Sequence, residues 1–326
     1  MRTVSHYPAA LVAVLLTLLL AMTACSAPDG DSGGGGPIQI NTPQGQVVVN
    51  GTPKRIVTLG GQWIDTALAF GVKPVAYLDQ SQILTKKPAP WVGDKLAGST
   101  QLNLENLVAE IAKAKPDLIL AEGFMATAQP ETFAKIREIA PTVPGVTGKQ
   151  VDPWQDLVTL FGTVTRQPDK AKEIIDGVNA KVTKIATDLP GLKGKTYALA
   201  YMFSSEQIQV MADPTDGAGE VMASLGLVVA PKLAAEAKKQ NQSRFPISTE
   251  NVPMLDADLL VITASNDNLQ KQLEKLAGYS TLKSVKSGAL ADLSVAEITG
   301  LNTPTPLSVP YVLNVMYPAL QKASGN

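Results

Sequence analysis

Pro168-Asp169-Lys170-Ala171-Lys172-Glu173-Ile174-Ile175-Asp176-Gly177-Val178-Asn179-Ala180-Lys181-Val182-Thr183-Lys184-Ile185-Ala186-Thr187-Asp188-Leu189 is the stretch on which the fold turns. Ala171, Ile174, Ile175, Val178, Val182 and Ile185 recur at the spacing of one helix face. Pro168 stands in the first turn, where a missing N–H costs nothing, and Pro190-Gly191 follow the end. At 1.5 Å per residue such a helix runs about 30 Å, the width of a small domain, and can bridge two lobes. A core helix within one lobe has the same periodicity, so the choice rests on what flanks it.

On both sides, short apolar runs rich in β-branched residues alternate with longer helical stretches. Strands are expected at Arg55–Leu59, Val75–Tyr77, Leu118–Leu120, Thr196–Tyr201 and Leu259–Ile262, and helices at Trp63–Phe70, Leu104–Lys113 and Pro130–Ala140. Gly71 suits a left-handed helix end, and Pro116 terminates the helix before Asp117. This alternation predicts an α/β fold of parallel-type sheets flanked by helices, in which ligands bind beyond the carboxyl ends of the strands. Residues 38–326 exceed the usual size of a single core, so two lobes are expected, 38–167 and 190–326, joined by the bridging helix 168–189, with a cleft between them. An internal echo agrees: Leu102-Asn103-Leu104-Glu105-Asn106-Leu107 leads to Asp117-Leu118-Ile119-Leu120, and Ile247-Ser248-Thr249-Glu250-Asn251-Val252 leads to Asp258-Leu259-Leu260-Val261. A glutamate in a first helical turn complements the helix dipole without any partner.

The N-terminus begins with Arg2, continues as an apolar run from Ala9 to Met22, and closes with Thr23 and Ala24 before Cys25. That is the layout of a secretory signal peptide over residues 1–24. The run is shorter than the ~20 residues a membrane span requires. Cys25 is the only cysteine and has no intramolecular disulfide partner. Met22-Thr23-Ala24-Cys25 resembles a bacterial lipobox, with Met where Leu is commonest, which makes Cys25 the lipidation site; ordinary cleavage near Ala24, leaving a free thiol, is the alternative. The Gly- and Ser-rich tract that completes residues 25–37 has linker composition and reads as a tether to the outer face of the membrane.

The chain carries 28 Lys+Arg against 29 Asp+Glu with no long run of one sign, which argues against a nucleic-acid partner. Its one histidine, His6, lies within the expected signal peptide. The mature chain therefore has neither imidazole nor free thiolate for a zinc or copper site, and no direct metal site is expected; iron would arrive already chelated. It also lacks a Gly-x-Ser-x-Gly elbow and a phosphate-binding Gly-Lys-Ser/Thr loop, and no carboxylate pair stands out, so it is not read as an enzyme.

Several stretches in order are similar to one known family: Pro53-Lys54-Arg55-Ile56-Val57-Thr58-Leu59, Asn103-Leu104-Glu105, Lys115-Pro116-Asp117-Leu118-Ile119, Ala140-Pro141-Thr142-Val143, Pro168-Asp169-Lys170-Ala171, Ile247-Ser248-Thr249-Glu250, Asp256-Ala257-Asp258 and Val285-Lys286-Ser287-Gly288-Ala289-Leu290. The chain resembles the substrate-binding proteins of ABC importers for iron siderophores, haem and cobalamin, over essentially all of residues 38–326. The resemblance implies a monomeric carrier that delivers a ferric siderophore to a membrane permease, with haem and cobalamin as alternative ligands and a surface lipoprotein without transport as another reading. It also implies that Glu105 and Glu250, one per lobe, pair with permease arginines. The ligand would lie among Gln62, Trp63, Tyr77, Asp79, Glu122, Phe124 and Met125 of the first lobe and Tyr201, Phe203, Arg244 and Phe245 of the second. Aromatic faces with a cation suit a bulky ferric chelate of anionic surface, with Arg244 stacked on Phe245 as the central contact. For haem, Tyr77 or Tyr201 would replace the missing axial histidine.

Overall fold

The structure, a computed structural model, describes residues 36–325. The expected signal peptide, Cys25 and most of the tether lie outside the described residues. The described chain opens with an antiparallel hairpin of β1 (Ile38–Thr42) and β2 (Gly45–Val49). A five-stranded sheet follows, built from β3 (Ile56–Leu59), β4 (Ala76–Leu78), β5 (Thr100–Gln101), β6 (Leu118–Ala121) and β7 (Thr142–Pro144) in the order β5-β4-β3-β6-β7, every pair parallel. Its three inner strands, β4, β3 and β6, are buried at every position. Unbroken apolar runs of this kind belong to strands covered on both faces. The covering helices are α1 (Gly61–Ala69), α2 (Gln80–Thr85), α3 (Leu107–Ala114), α4 (Gly123–Ala128), α5 (Pro130–Arg137) and α6 (Trp154–Val164).

The bridging segment is a single helix, α7 (Pro168–Asp188), of 21 residues. Ala171 and Val178 are buried, and Ile174, Ile175, Val182 and Ile185 pack against the same core, so the stripe expected from sequence is the buried face. Near its start α7 lies against α6 so closely that a Cβ on Gly162 would stand 2.6 Å from the Ala171 methyl. It also contacts α8 (Gly217–Ser224) and the C-terminal helix α13 (Ser308–Ser324), which belong to the second lobe.

That lobe holds a six-stranded sheet of β8 (Thr196–Met202), β9 (Gln207–Met211), β10 (Val228–Val229), β11 (Arg244–Ser248), β12 (Leu259–Ala264) and β13 (Leu290–Asp292), ordered β11-β9-β8-β12-β13 with β10 beside the start of β8. Its remaining helices are α9 (Pro231–Gln240), α10 (Asp267–Leu273), α11 (Lys283–Ser287) and α12 (Val295–Asn302). Strands β8, β10, β11, β12 and β13 all run in one direction and β9 alone is reversed, so β9 pairs antiparallel with both β8 and β11 inside an otherwise parallel sheet. The cause is local. β8 turns directly into β9 through Phe203-Ser204-Ser205-Glu206, where Ser204 Oγ accepts from the backbone N–H groups of Glu206 and Gln207, and so short a connection can only return antiparallel.

The Asp-led strands of the sequence echo have a structural meaning. Asp117, preceding β6, accepts from the N–H groups of Lys54 and Arg55 at 2.7 and 2.9 Å, pinning the entry of β3. Asp258, preceding β12, likewise accepts from Thr196 N at 2.8 Å at the entry of β8. Each aspartate thus fixes the register of the neighbouring central strand in its own lobe.

Two apolar clusters fill the outer sheet faces, one per lobe. A third runs without interruption from Trp63, Phe70 and Phe161 of the first lobe past α7 to Tyr197, Leu199, Leu313 and Met316 of the second. The described residues 36–325 therefore lie within one compact unit.

Candidate functional site: the cleft between the lobes

The cleft floor is a polar clasp between α1 and the segment leading into α13. Gln62 is buried and its Nε2 donates to two carbonyls, that of Asp152 at 2.9 Å and that of Pro304 in the second lobe at 3.1 Å. One turn later, Asp65 Oδ2 accepts from Trp91 Nε1 and from Thr305 Oγ1, both at 2.6 Å. Thr305 Oγ1 also accepts from the N–H groups of Leu307 and Ser308, anchoring the start of α13. Trp91, from the first lobe, reaches into the second. A Cβ on Gly300 would lie 2.3 Å from its ring, and the Tyr311 ring centroid is 5.6 Å away.

Burial dominates the ionisation of the floor. Asp65 is 3 % exposed, and desolvation lifts its pKa to about 7 against the lowering by its Thr305 and Trp91 hydrogen bonds. Glu122 is also lifted to about 7, by desolvation and by the charges of Asp79 and Asp152, although it accepts from Gln62 N at 3.1 Å. Its carboxylate crosses Gly60, whose φ of +122° and lack of a side chain are both required: a Cβ there would stand 2.1 Å from the Glu122 carboxyl carbon.

Beside this floor opens a cavity of about 330 Å³ between the lobes. Its first-lobe wall is the segment Lys149–Trp154 after β7, its second-lobe wall is Asp213–Gly217 with Glu220, Ser243 and Arg244, and Pro304 forms the base. The volume falls within the usual range for small-molecule sites. Gly217 permits the close approach of α8 to the base, since a Cβ there would meet Pro304 Cδ at 2.3 Å. Arg244 Nη2 donates to Asp216 Oδ2 at 3.0 Å, while Asp216 Oδ1 caps α8 by accepting from Gly219 N at 2.9 Å. Burial raises the pKa of Asp213, but hydrogen bonds from Thr215 and Ser243 and the charge of Arg244 outweigh it and hold the group below its ordinary value.

The structure divides the residues expected here. Arg244 lines the cleft. Phe124 and Phe203 are exposed, at 43 % and 40 %. The rest are used otherwise. Trp63 is fully buried in the shared core, donating Nε1–H to the Ala121 carbonyl. Phe245 is fully buried in the outer core of the second lobe because residues alternate along β11: with Arg244 on the cleft side, its neighbour must face away. The expected stacking of Arg244 on Phe245 is therefore absent. Met125 packs in the outer core of the first lobe. Asp79 is buried and caps α2 by accepting from Gln82 N, and Gln62 serves the clasp. Tyr77 is buried, donates its OH to Gln82 Oε1 at 3.3 Å, and has its pKa raised by desolvation, the opposite of what an iron-binding phenolate needs. The Tyr201 hydroxyl accepts from Ser265 Oγ at 2.8 Å and lies outside the cavity lining.

The walls missed by sequence reasoning are Lys149, Asp152, Trp154, Asp213, Asp216, Glu220 and Pro304. Asp213-Pro214-Thr215-Asp216-Gly217 carried a readable turn and helix-cap signal, but without β9 before it nothing placed that turn at the cleft. Glu105 and Glu250 are exposed in the first turns of the short 3₁₀ segments Leu104–Asn106 and Thr249–Leu255. Among the described residues neither carboxylate accepts a hydrogen bond; the glutamate that ties this region together in the first lobe is Glu110, which accepts from Asn103 N at 2.6 Å.

The family described as periplasmic binding protein matches residues 63–295. The probable siderophore-binding lipoprotein YfiY of Bacillus subtilis is 27 % identical over 301 residues, covering 84 % of this chain and 87 % of YfiY. The Fe(3+)-citrate-binding protein YfmC of the same organism is 24 % identical over 302 residues, covering 90 % and 91 %. Among solved structures, a periplasmic solute binding protein from Mycobacterium smegmatis superposes with a TM-score of 0.74 at 27 % identity, covering 89 % of this chain and 99 % of that one.

Proposed function

Because the chain belongs to the periplasmic binding protein family, we propose that it is the extracytoplasmic substrate-binding lipoprotein of an ABC importer, capturing a ferric siderophore between its lobes and delivering it to a membrane permease. It is a binding protein rather than an enzyme. The observation that carries this reading is the cavity between two lobes held rigidly together by α7 and by the Gln62 and Asp65 clasp, with an exposed, unengaged glutamate on each lobe. A rigid body with a preformed cleft presents a bound chelate without large rearrangement. The likeness to YfiY, a probable siderophore-binding lipoprotein, and to YfmC, an Fe(3+)-citrate-binding protein, supports iron chelates as the ligand class. Haem is disfavoured as an alternative, since the two tyrosines considered as axial ligands are hydrogen-bonded away from the cavity. Cells lacking the chain should lose uptake of radiolabelled ferric siderophore and regain it on complementation; undiminished uptake would refute the transport role.

Glu105 and Glu250 are the residues that engage the permease, and the carrier acts as a monomer. Cys25, outside the described residues, is the lipid attachment point that holds it at the outer face of the cytoplasmic membrane. Cys25→Ala should move the protein from the membrane fraction to the soluble fraction with its fold intact. Mass spectrometry finding an unmodified Cys25 on membrane-isolated wild type would exclude this anchor.

A further inference from the structure

The charges around the cavity say more than that a chelate fits. Lys149 and Arg244 line the cavity together with Asp152, Asp213, Asp216 and Glu220, two basic residues against four acidic ones, although the Asp152 carboxylate is already engaged by Thr147 N and Oγ1. Arg244, the side chain that would otherwise receive an anion, is already paired with Asp216 at 3.0 Å, and its side chain retains 38 % exposure against 16 % for that aspartate. Asp216 is itself locked in place as the cap of α8. An incoming anion would have to compete with a fixed carboxylate for the guanidinium, beside a second acid, Asp213, that stays ionised. Resting on the reading of this cleft as the chelate site, we propose that Asp216 is a specificity-determining residue that makes the protein select ferric chelates by charge, accepting neutral and cationic ones and rejecting anionic ones.

Like-charge exclusion of this kind is how binding sites discriminate among ligands of equal size. The effect belongs to the outer charge of the chelate, so the test holds the iron core constant. Ferrioxamine B carries a pendant ammonium remote from its hydroxamates; N-acetylation makes it neutral and N-succinylation makes it anionic. Wild type should bind the cationic and neutral forms more tightly than the anionic form, by roughly three- to tenfold per unit charge for partly screened charges within a cleft. Asp216→Asn keeps Oδ1 as the acceptor for Gly219 N, so the cap of α8 survives, while its Nδ2 replaces the oxygen that holds Arg244 and frees the guanidinium; it should narrow the gap by a similar factor, chiefly by improving the anionic form, with little change in melting temperature. A purely structural role would weaken all three alike. Ferric citrate, an anionic ferric tricatecholate and haemin complete the panel. Indifference to charge, preference for the anionic form, or binding confined to citrate or the tricatecholate would overturn the proposal while leaving the carrier function standing. Failure of every ferric chelate to bind would overturn both.

Discussion

Replacing Glu105 and Glu250 together by alanine should leave chelate affinity within about twofold and lower uptake by at least about tenfold. Both side chains are exposed and accept no hydrogen bond among the described residues, so their removal leaves no buried partner behind and costs little stability. Neither lines the cavity, so binding is spared. In the proposed docking role, what would be lost is a charge pair with the permease at each lobe, and such pairs govern orientation and association rate more than intrinsic affinity. Each single substitution should give a partial defect, and reversal to lysine a deeper one, since it turns attraction into repulsion. The measurements are chelate titration of the purified variants and uptake by complemented cells. Loss of ligand binding in the double variant would place the glutamates in the site instead of at the docking face.

Stability that declines as pH rises from about 4 to about 7 is the second expected result, and Asp65 is its main source. Its folded pKa of about 7 stands above the ordinary 3.8 of the unfolded chain. Between those values the native state holds a proton that the unfolded state has released, so stability falls with rising pH and levels off above 7. Three units correspond to about 4 kcal/mol at the order-of-magnitude level. Asp65→Asn keeps an acceptor for Trp91 and Thr305 without titrating and should flatten the fall. A residual slope remains from Glu122, which is raised in the same direction. Asp65→Ala at pH 5 orphans both donors inside the interlobe clasp and should cost about 2–4 kcal/mol. Denaturant titrations from pH 4 to 8 decide the matter; parallel curves for wild type and Asp65→Asn would remove Asp65 as the cause.

The contrast between what sequence disclosed and what it hid follows from range. The α7 stripe, the Pro and Gly punctuation and the buried inner strands are local patterns, and each reappears where expected. The aspartates before β6 and β12 stood out as an echo, yet their task, pinning a strand some sixty residues earlier, needed coordinates. At the site, Trp63 and Met125 follow expected strands and Phe245 stands beside Arg244 just before Ile247-Ser248-Thr249-Glu250, which suggests the cleft, whereas strand alternation and core packing turn all three inward. The alternation Gln207-Ile208-Gln209-Val210 was legible as a strand. Recognising β9 would have brought Asp213 and Asp216 to the cleft and turned Phe245 away from it. The clasp partners Asp65 and Thr305 lie 240 positions apart, beyond any local signal.

Trp154 forms part of the cavity wall, and the chain has three tryptophans in all, so intrinsic fluorescence reports on this cleft. Titrating residues 36–326 with ferric siderophores, ferric citrate and haemin should give saturable one-to-one quenching with at least one ferric siderophore, and much weaker quenching with the same chelator free of iron. No saturable response to any ferric siderophore would contradict the assignment of this cleft to iron-chelate capture.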